Sequence, residues 1–157
     1  MSSIFLLFFL LSAESTLLEK EAPKVEKRIK ITAKVAIHYT ETNKSILKEK
    51  VKVVDGEMTI NCELMTIKNN EKKEMNLVIA EKDVVIVKDG SIATGDRAEY
   101  FIPEKKIVLT GNPKIISINK KTGEKSTSIG SKIIFYRDKK IMEIHEFVGD
   151  TPAKEPK

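Results

Sequence analysis

The 157-residue sequence has one cysteine, no tryptophan, six phenylalanines and three tyrosines. A lone Cys62 excludes an internal disulfide, and no Cys/His spacing of the zinc or iron–sulfur kind surrounds it, so it reads as a small core residue. His38 and His145 stand far apart and outside any H-E-x-x-H pattern; both read as sheet-surface residues. The sequence also lacks a P-loop, a glycine-rich dinucleotide turn, a G-x-S-x-G elbow and any His paired with Ser or Cys, which leaves no catalytic, cofactor or metal site to name. Its acidic residues lie in turns beside lysines, as solvated strand ends and cross-strand ion pairs do. Aromatics are 6% of residues, and none is interleaved with a basic run as a nucleic-acid stacking platform requires. Asn43-Lys44-Ser45 fits a glycosylation sequon, a pattern short enough to arise by chance.

Long apolar runs are missing as well. The longest covers residues 4–11, too short for the roughly 20 residues that span a bilayer but suited to the h-region of a secretory signal. Ala13-Glu14-Ser15 satisfies a small-x-small cleavage rule, so residues 1–15 are expected to be a signal peptide and the mature protein to be periplasmic; an uncleaved interfacial anchor is the competing reading. Residues 16–28 form a charged lead-in, and residues 149–157 are expected to be a disordered tail.

What is present is a modest positive excess, 28 basic against 23 acidic residues for a net charge of +5, suited to an anionic partner such as nucleic acid, phospholipid or another phosphorylated amphiphile, and small enough to serve solubility alone. No segment shows apolar residues at i, i+3, i+4, i+7 over three turns. Short Ile/Val/Thr/Tyr-rich segments with period-2 alternation recur instead, separated by charged or Gly/Asn/Asp turns, the pattern of an all-β domain. Strands are expected near 29–40, 46–54, 57–68, 74–80, 83–88, 91–102, 105–110, 113–119, 127–136 and 140–147, with tight turns at Asp55-Gly56, Asp89-Gly90 and Arg137-Asp138. Residues 36–54 align without a gap on 97–115, matching Tyr39 with Tyr100, and such a repeat of hairpins calls for a rolled or folded-over antiparallel sheet.

The stretch Thr94-Gly95-Asp96-Arg97-Ala98-Glu99-Tyr100, the turn Val108-Leu109-Thr110-Gly111-Asn112-Pro113, and the later strand and hairpin through Tyr136-Arg137-Asp138-Lys139-Lys140 resemble the OstA-like domain of the lipopolysaccharide transport protein A family. The likeness runs over roughly residues 30–147 and is sharpest between 92 and 136; Glu49-Lys50 stands where the first half would carry Gly-Asn. It implies an all-β antiparallel β-jellyroll over 29–148, two sheets folded over in a V with an open apolar interior. It also implies a non-enzymatic carrier of lipopolysaccharide that holds the acyl chains between the sheets, joins end to end with copies of itself, and works with inner- and outer-membrane components of the export machinery. No cofactor is implied. Alternatives are a membrane-anchored relative of the same pathway and an adaptor that captures proteins by edge-strand pairing without lipid.

Alternation then selects the residues expected to face the lipid: Val35, Ile37 and Tyr39; Ile60 and Leu64; Leu77 and Ile79; Val84 and Ile86; Ala98 and Tyr100; Ile107 and Leu109; Ile133 and Phe135. Ordinary core packing is the competing reading for each, because a closed core and a lipid groove share one alternation. Gly111-Asn112 is expected to make a tight reversal between consecutive strands, with Pro113 opening the next strand, where its missing N–H costs least.

Overall fold

The structure, a computed structural model, describes residues 29–151. The described residues form twelve strands: β1 Ile29–Thr32, β2 Val35–Tyr39, β3 Lys44–Asp55, β4 Met58–Asn69, β5 Met75–Lys88, β6 Ser91–Phe101, β7 Lys106–Thr110, β8 Lys114–Ile118, β9 Lys125–Ile129, β10 Lys132–Tyr136, β11 Ile141–His145 and β12 Val148–Asp150. All pairings are antiparallel: β3 to β6 each pair with the next strand, β1 and β2 both pair with β3, β7 and β8 both pair with β6, and the chain closes with β7–β10–β11 on one path and β8–β9–β12 on the other, so it runs as one meander that forks at both ends. Val, Ile and Thr crowd these strands because branched side chains pack well on a pleated surface. Asp89 and Gly90 both take positive φ, the geometry of a two-residue hairpin turn that matches strand twist.

The meander is folded in half. The register of β3 against β4 shifts between Lys48 and Val51, that of β4 against β5 between Asn61 and Leu64, and that of β5 against β6 between Glu81 and Val84. These bulges line up across the strands as a crease. On one side of it β1, the second half of β3, the first half of β4, the second half of β5, the first half of β6, β8, β9 and β12 form the first sheet. On the other side β2, the remaining halves, β7, β10 and β11 form the second. Their facing sides share one core, with Val51, Val53, Ile60, Val84 and Ile86 from the first sheet packed with Leu47, Met65, Ala80, Leu109 and Ile133 from the second.

The crease is built in two ways. In β3 and β5, four-residue steps carry the inward side across, from Leu47 to Val51 and from Ala80 to Val84, and the step contains two consecutive left-handed residues, Glu49-Lys50 and Lys82-Asp83. In β4 the step is three residues, from Cys62 to Met65, with no left-handed pair. Gly111-Asn112 is another left-handed pair, with φ of 72° and 53°. The tight reversal expected here from the sequence does not occur: β7 pairs with the second half of β6 and β8 with the first, so Gly111-Asn112-Pro113 is the corner where the chain passes from one sheet to the other alongside β6. A Cβ on Gly111 would sit 2.5 Å from Cβ of Asp96, whose N–H donates to the Gly111 carbonyl at 3.0 Å. The Gly-Asp and Gly-Asn elements of the sequence motif are thus two halves of one corner.

Other boundaries moved for the same reason. The single strands expected over 29–40 and 127–136 are each broken at the crease, into β1 and β2 and into β9 and β10, while those expected at 74–80 and 83–88 are one strand bulged at Lys82-Asp83. β12 pairs with β9 and so enters the segment expected to be tail; residues 1–28 and 152–157, including the expected signal peptide, lie outside the described residues.

Left-handed backbone costs a non-glycine residue roughly 1–2 kcal/mol. Glu49→Gly and Lys82→Gly are therefore each expected to raise unfolding free energy by about 0.5–1 kcal/mol after the added freedom of the unfolded chain is counted, whereas Gly111→Ala is expected to lower it by about 2 kcal/mol or more. Urea denaturation midpoints check all three.

Candidate functional site

The inward face of the second sheet follows from register. Row by row, Ala36, Leu47, Met65, Ala80, Ala98, Leu109, Ile133 and Ile144 share one line, and His38, Ser45, Ile67, Val78, Tyr100, Ile107, Phe135 and Met142 share the next. Seven of the residues expected from the sequence to face a ligand belong to the buried cluster: Ile60, Val84, Ile86, Ala98, Ile107, Leu109 and Ile133; Tyr100 and Phe135 pack against it.

The other six do not point inward. Val35 and Tyr39 are exposed, at 41% and 46%, and Val35, Ile37 and Tyr39 occupy the outer rows, because the crease between β1 and β2 moves the inward set from Ile29 and Ile31 to Ala36 and His38. Leu64 pairs with Lys48 and Glu81 on the outer face; the three-residue step in β4 puts Met65 inside instead. Leu77 and Ile79 alternate with Val78 and Ala80 and so lie on the outer parity, Ile79 beside Thr66 and Glu99, although Ile79 is itself buried at 8% exposure and stands apart from the inward cluster. In β2 and β4 simple alternation runs through a point where the sheet changes phase; Leu77 and Ile79 instead lie on the outer parity of 74–80, a segment expected as a strand of its own.

Between the sheets lies a cavity of about 430 Å³, lined by Met58, Ile86, Ala93 and Ile115 from the first sheet and Ile107, Phe135 and Met142 from the second. Lys88, Asp89, Arg137 and Lys140 stand among its walls, the two lysines and Asp89 being exposed, so the mouth is charged and the depth aliphatic. A much smaller space of about 20 Å³ lies toward β1, among Ile29, Ile31, Val53, Met75, Val78 and Ile102. The inner wall of the first sheet turns polar toward its last strands, where Ser91 and Ser117 share a hydrogen bond at 3.3 Å.

The sequence places Asp55 and Arg137 in tight turns, Asp55-Gly56 and Arg137-Asp138. Instead they meet across the interior, Asp55 at the end of β3 in the first sheet and Arg137 just after β10 in the second, with Nη1 donating to Oδ2 at 2.6 Å. The same nitrogen donates to the Tyr100 hydroxyl at 2.5 Å, and the guanidinium carbon lies 5.2 Å from that ring's centre. The side chains are only 7% and 19% exposed. Burial alone would lower the Arg137 pKa, but the hydrogen bond it donates to Asp55 and the neighbouring Tyr100 leave it above the ordinary value. No local pattern betrays such a pair, since its members are 82 residues apart. On the outer face Arg97 bridges Glu81 at 2.5 Å and Glu99 at 2.6 Å, and all three side chains are at least 30% exposed, so this network adds about 1 kcal/mol at most.

Cys62 sits at the crease, 4% exposed, and burial pushes its thiol up to about 11. Among the described residues no three His, Cys, Asp or Glu gather as metal ligands, and no helix is long and apolar enough to cross a membrane.

An open, folded-over antiparallel sheet with an aliphatic interior defines a β-jellyroll binding protein in architecture. The chain belongs to the LptA/(LptD N-terminal domain) LPS transport protein family, whose model matches residues 30–141. The solved structure of LptH, described as the LptA-homologous periplasmic component of the conserved lipopolysaccharide transport device from Pseudomonas aeruginosa, is similar in fold, with a TM-score of 0.65 at 19% identity over 76% of this chain and 82% of that one. No curated protein matches the sequence. The all-β jellyroll and the transport family expected from the sequence are thus established, and the family is one of carriers, not enzymes.

Ile133 and Leu109 have no exposed surface. Ile133→Ala is expected to cost about 2–5 kcal/mol in a denaturant titration, while Val35→Thr, on the outer face and 41% exposed, should cost clearly less. For Cys62, the unfolded thiol ionises near 9.0 while the folded one stays protonated to about 11, so its contribution to stability is held below pH 9 and lost as pH climbs through that interval. Denaturation at pH 8 and pH 11, compared with Cys62→Ala, isolates this loss.

Proposed function

We propose that this protein is a periplasmic carrier that holds lipopolysaccharide with its acyl chains between the two sheets and passes it from the inner toward the outer membrane. The single observation that supports the reading best is the pairing of an aliphatic cavity of about 430 Å³ with a lysine-bearing mouth. Each acyl CH₂ removed from water contributes roughly 0.8 kcal/mol, so the depth sets affinity. Lys88 and Lys140 would meet the glycolipid's phosphates, each exposed contact adding at most about 1 kcal/mol, so the mouth sets orientation. Of the residues selected from the sequence, Ile86, Ile107 and Phe135 line that cavity and are the ones proposed to touch the chains; Ile60 and Tyr100 border the smaller space, and Val84, Ala98, Leu109 and Ile133 hold the core together. A signal peptide over residues 1–15 would deliver the chain to the compartment in which LptH is found.

The carrier is proposed to join copies of itself or relatives end to end. Among the described residues, β1 with β2, and β11 with β12, each leave one side unpaired, and large apolar side chains gather there: Ile29, Val35 and Tyr39 at one end, Ile141, Met142, Phe147 and Val148 at the other. Strand addition at these edges would continue both sheets and the slot between them.

A photo-crosslinking residue at Phe135 is expected to label added lipopolysaccharide and one at Ile79 to stay unlabelled; native mass spectrometry with lipopolysaccharide and, separately, phospholipid should show the first retained preferentially. Absence of lipid in both assays would favour the adaptor reading instead. Light scattering at rising concentration is expected to show species larger than the monomer, and Val148→Lys to reduce them; a strictly monomeric protein would count against edge pairing.

A further inference from the structure

The Asp55–Arg137 pair divides the interior. Asp55 and Tyr100 border the narrow space on the β1 side, Arg137 borders the large cavity on the β11 side, and the ion pair crosses from the tip of the β3–β4 hairpin in one sheet to the tip of the β10–β11 hairpin in the other. Both tips lie at the ends of their strands away from the crease, where the folded sheet is open. The crossing is fixed from both sides: the Arg137 N–H donates to the Lys105 carbonyl at 2.9 Å, and the guanidinium lies over the Tyr100 ring while bonding its hydroxyl.

The consequence depends on the carrier reading above. An amphiphile in such a slot keeps its chains inside and its charged head outside, joined by a neck that passes through the open side. A chain could slide beneath an ion pair that spans this opening; the neck could not. We infer that Asp55 and Arg137 form a clasp that holds the glycolipid on the β11 side and must open before it moves along the slot. The exchange that opens it is available at Arg137, whose planar fork can donate to a phosphate oxygen in place of the carboxylate, and Asp55 adjoins the exposed Gly56 turn. Breaking a nearly buried pair with no such exchange is costly, so the clasp stays shut without a phosphorylated ligand. These residues thus select among amphiphiles: a head group bearing phosphate near its neck opens the way, and an uncharged one does not.

The test uses two measurements on the full mature chain. In a Cys62→Ala background, spin labels at the exposed hairpin positions Glu57 and Lys139 report the distance across the mouth. Saturating lipopolysaccharide is expected to lengthen or broaden that distance and an uncharged detergent to leave it unchanged; an unchanged distance with bound lipopolysaccharide overturns the clasp. Second, labelled lipopolysaccharide is released to excess unlabelled acceptor from wild type and from Asp55→Asn/Arg137→Gln. Release from the double variant is expected to be faster by about tenfold or more at equal loading, with Arg137→Lys in between. Equal rates from folded double variant and wild type overturn the proposal. If the double variant does not fold, the spin-label distance decides alone. Wild type that takes up no lipopolysaccharide by native mass spectrometry overturns the carrier reading itself, a result distinct from a loaded protein whose clasp does not move.

Discussion

The crease is the constraint on which the rest depends. A flat meander would have one apolar face with nothing to cover it, so each strand must cross the fold line and still present apolar side chains to the same interior. Bending toward that interior keeps strict alternation on the same face, so what the corner needs is unpaired residues to turn the backbone; their number decides whether alternation continues unchanged beyond it, as after the four-residue steps, or shifts by one, as after the three-residue step in β4. The chain meets the requirement with unpaired residues at the corner: three-residue steps as in Cys62 to Met65, and four-residue steps as in Leu47 to Val51, the latter using left-handed backbone at Glu49-Lys50, Lys82-Asp83 and Gly111-Asn112.

This explains what could and could not be read from the sequence. Strand existence, turn positions such as Asp89-Gly90 and the family itself were legible, because they rest on local patterns and on a motif concentrated at one corner. The inward faces of β6, β7 and β10 were also legible, since Ala98, Tyr100, Ile107, Leu109, Ile133 and Phe135 each lie wholly on one side of the crease. The faces of β2 and of the second half of β4 were not: alternation started at Ile29 and Ile60 was continued past a bulge whose residues, Lys34 and Glu63, carry no glycine or proline to mark it. Where the corner is written with Gly111-Asn112 it stands out, but its role as a sheet-to-sheet corner could not be told from a reversal without knowing that β7 and β8 share β6 as partner.

Chemistry in this fold is divided by depth. Charges on the outside, such as Arg97 with Glu81 and Glu99, sit in high dielectric and act weakly. The Asp55–Arg137–Tyr100 group is the contrasting case, a charged contact placed where two apolar sheets face one another. Replacing it by aliphatic side chains would suit a closed core, and its presence marks the place where the interior is not merely packing.

Because three- and four-residue corners serve neighbouring, oppositely running strands such as β4 and β5, the repeating structural unit is a hairpin bent at its middle, complete with its own share of both sheets. Such units stack sideways without any long-range connection, each lengthening the slot by about 9–10 Å at ordinary strand spacing. Slot length in this architecture is therefore a matter of hairpin number, adjustable by duplication or loss of a unit while the cross-section of the interior stays the same.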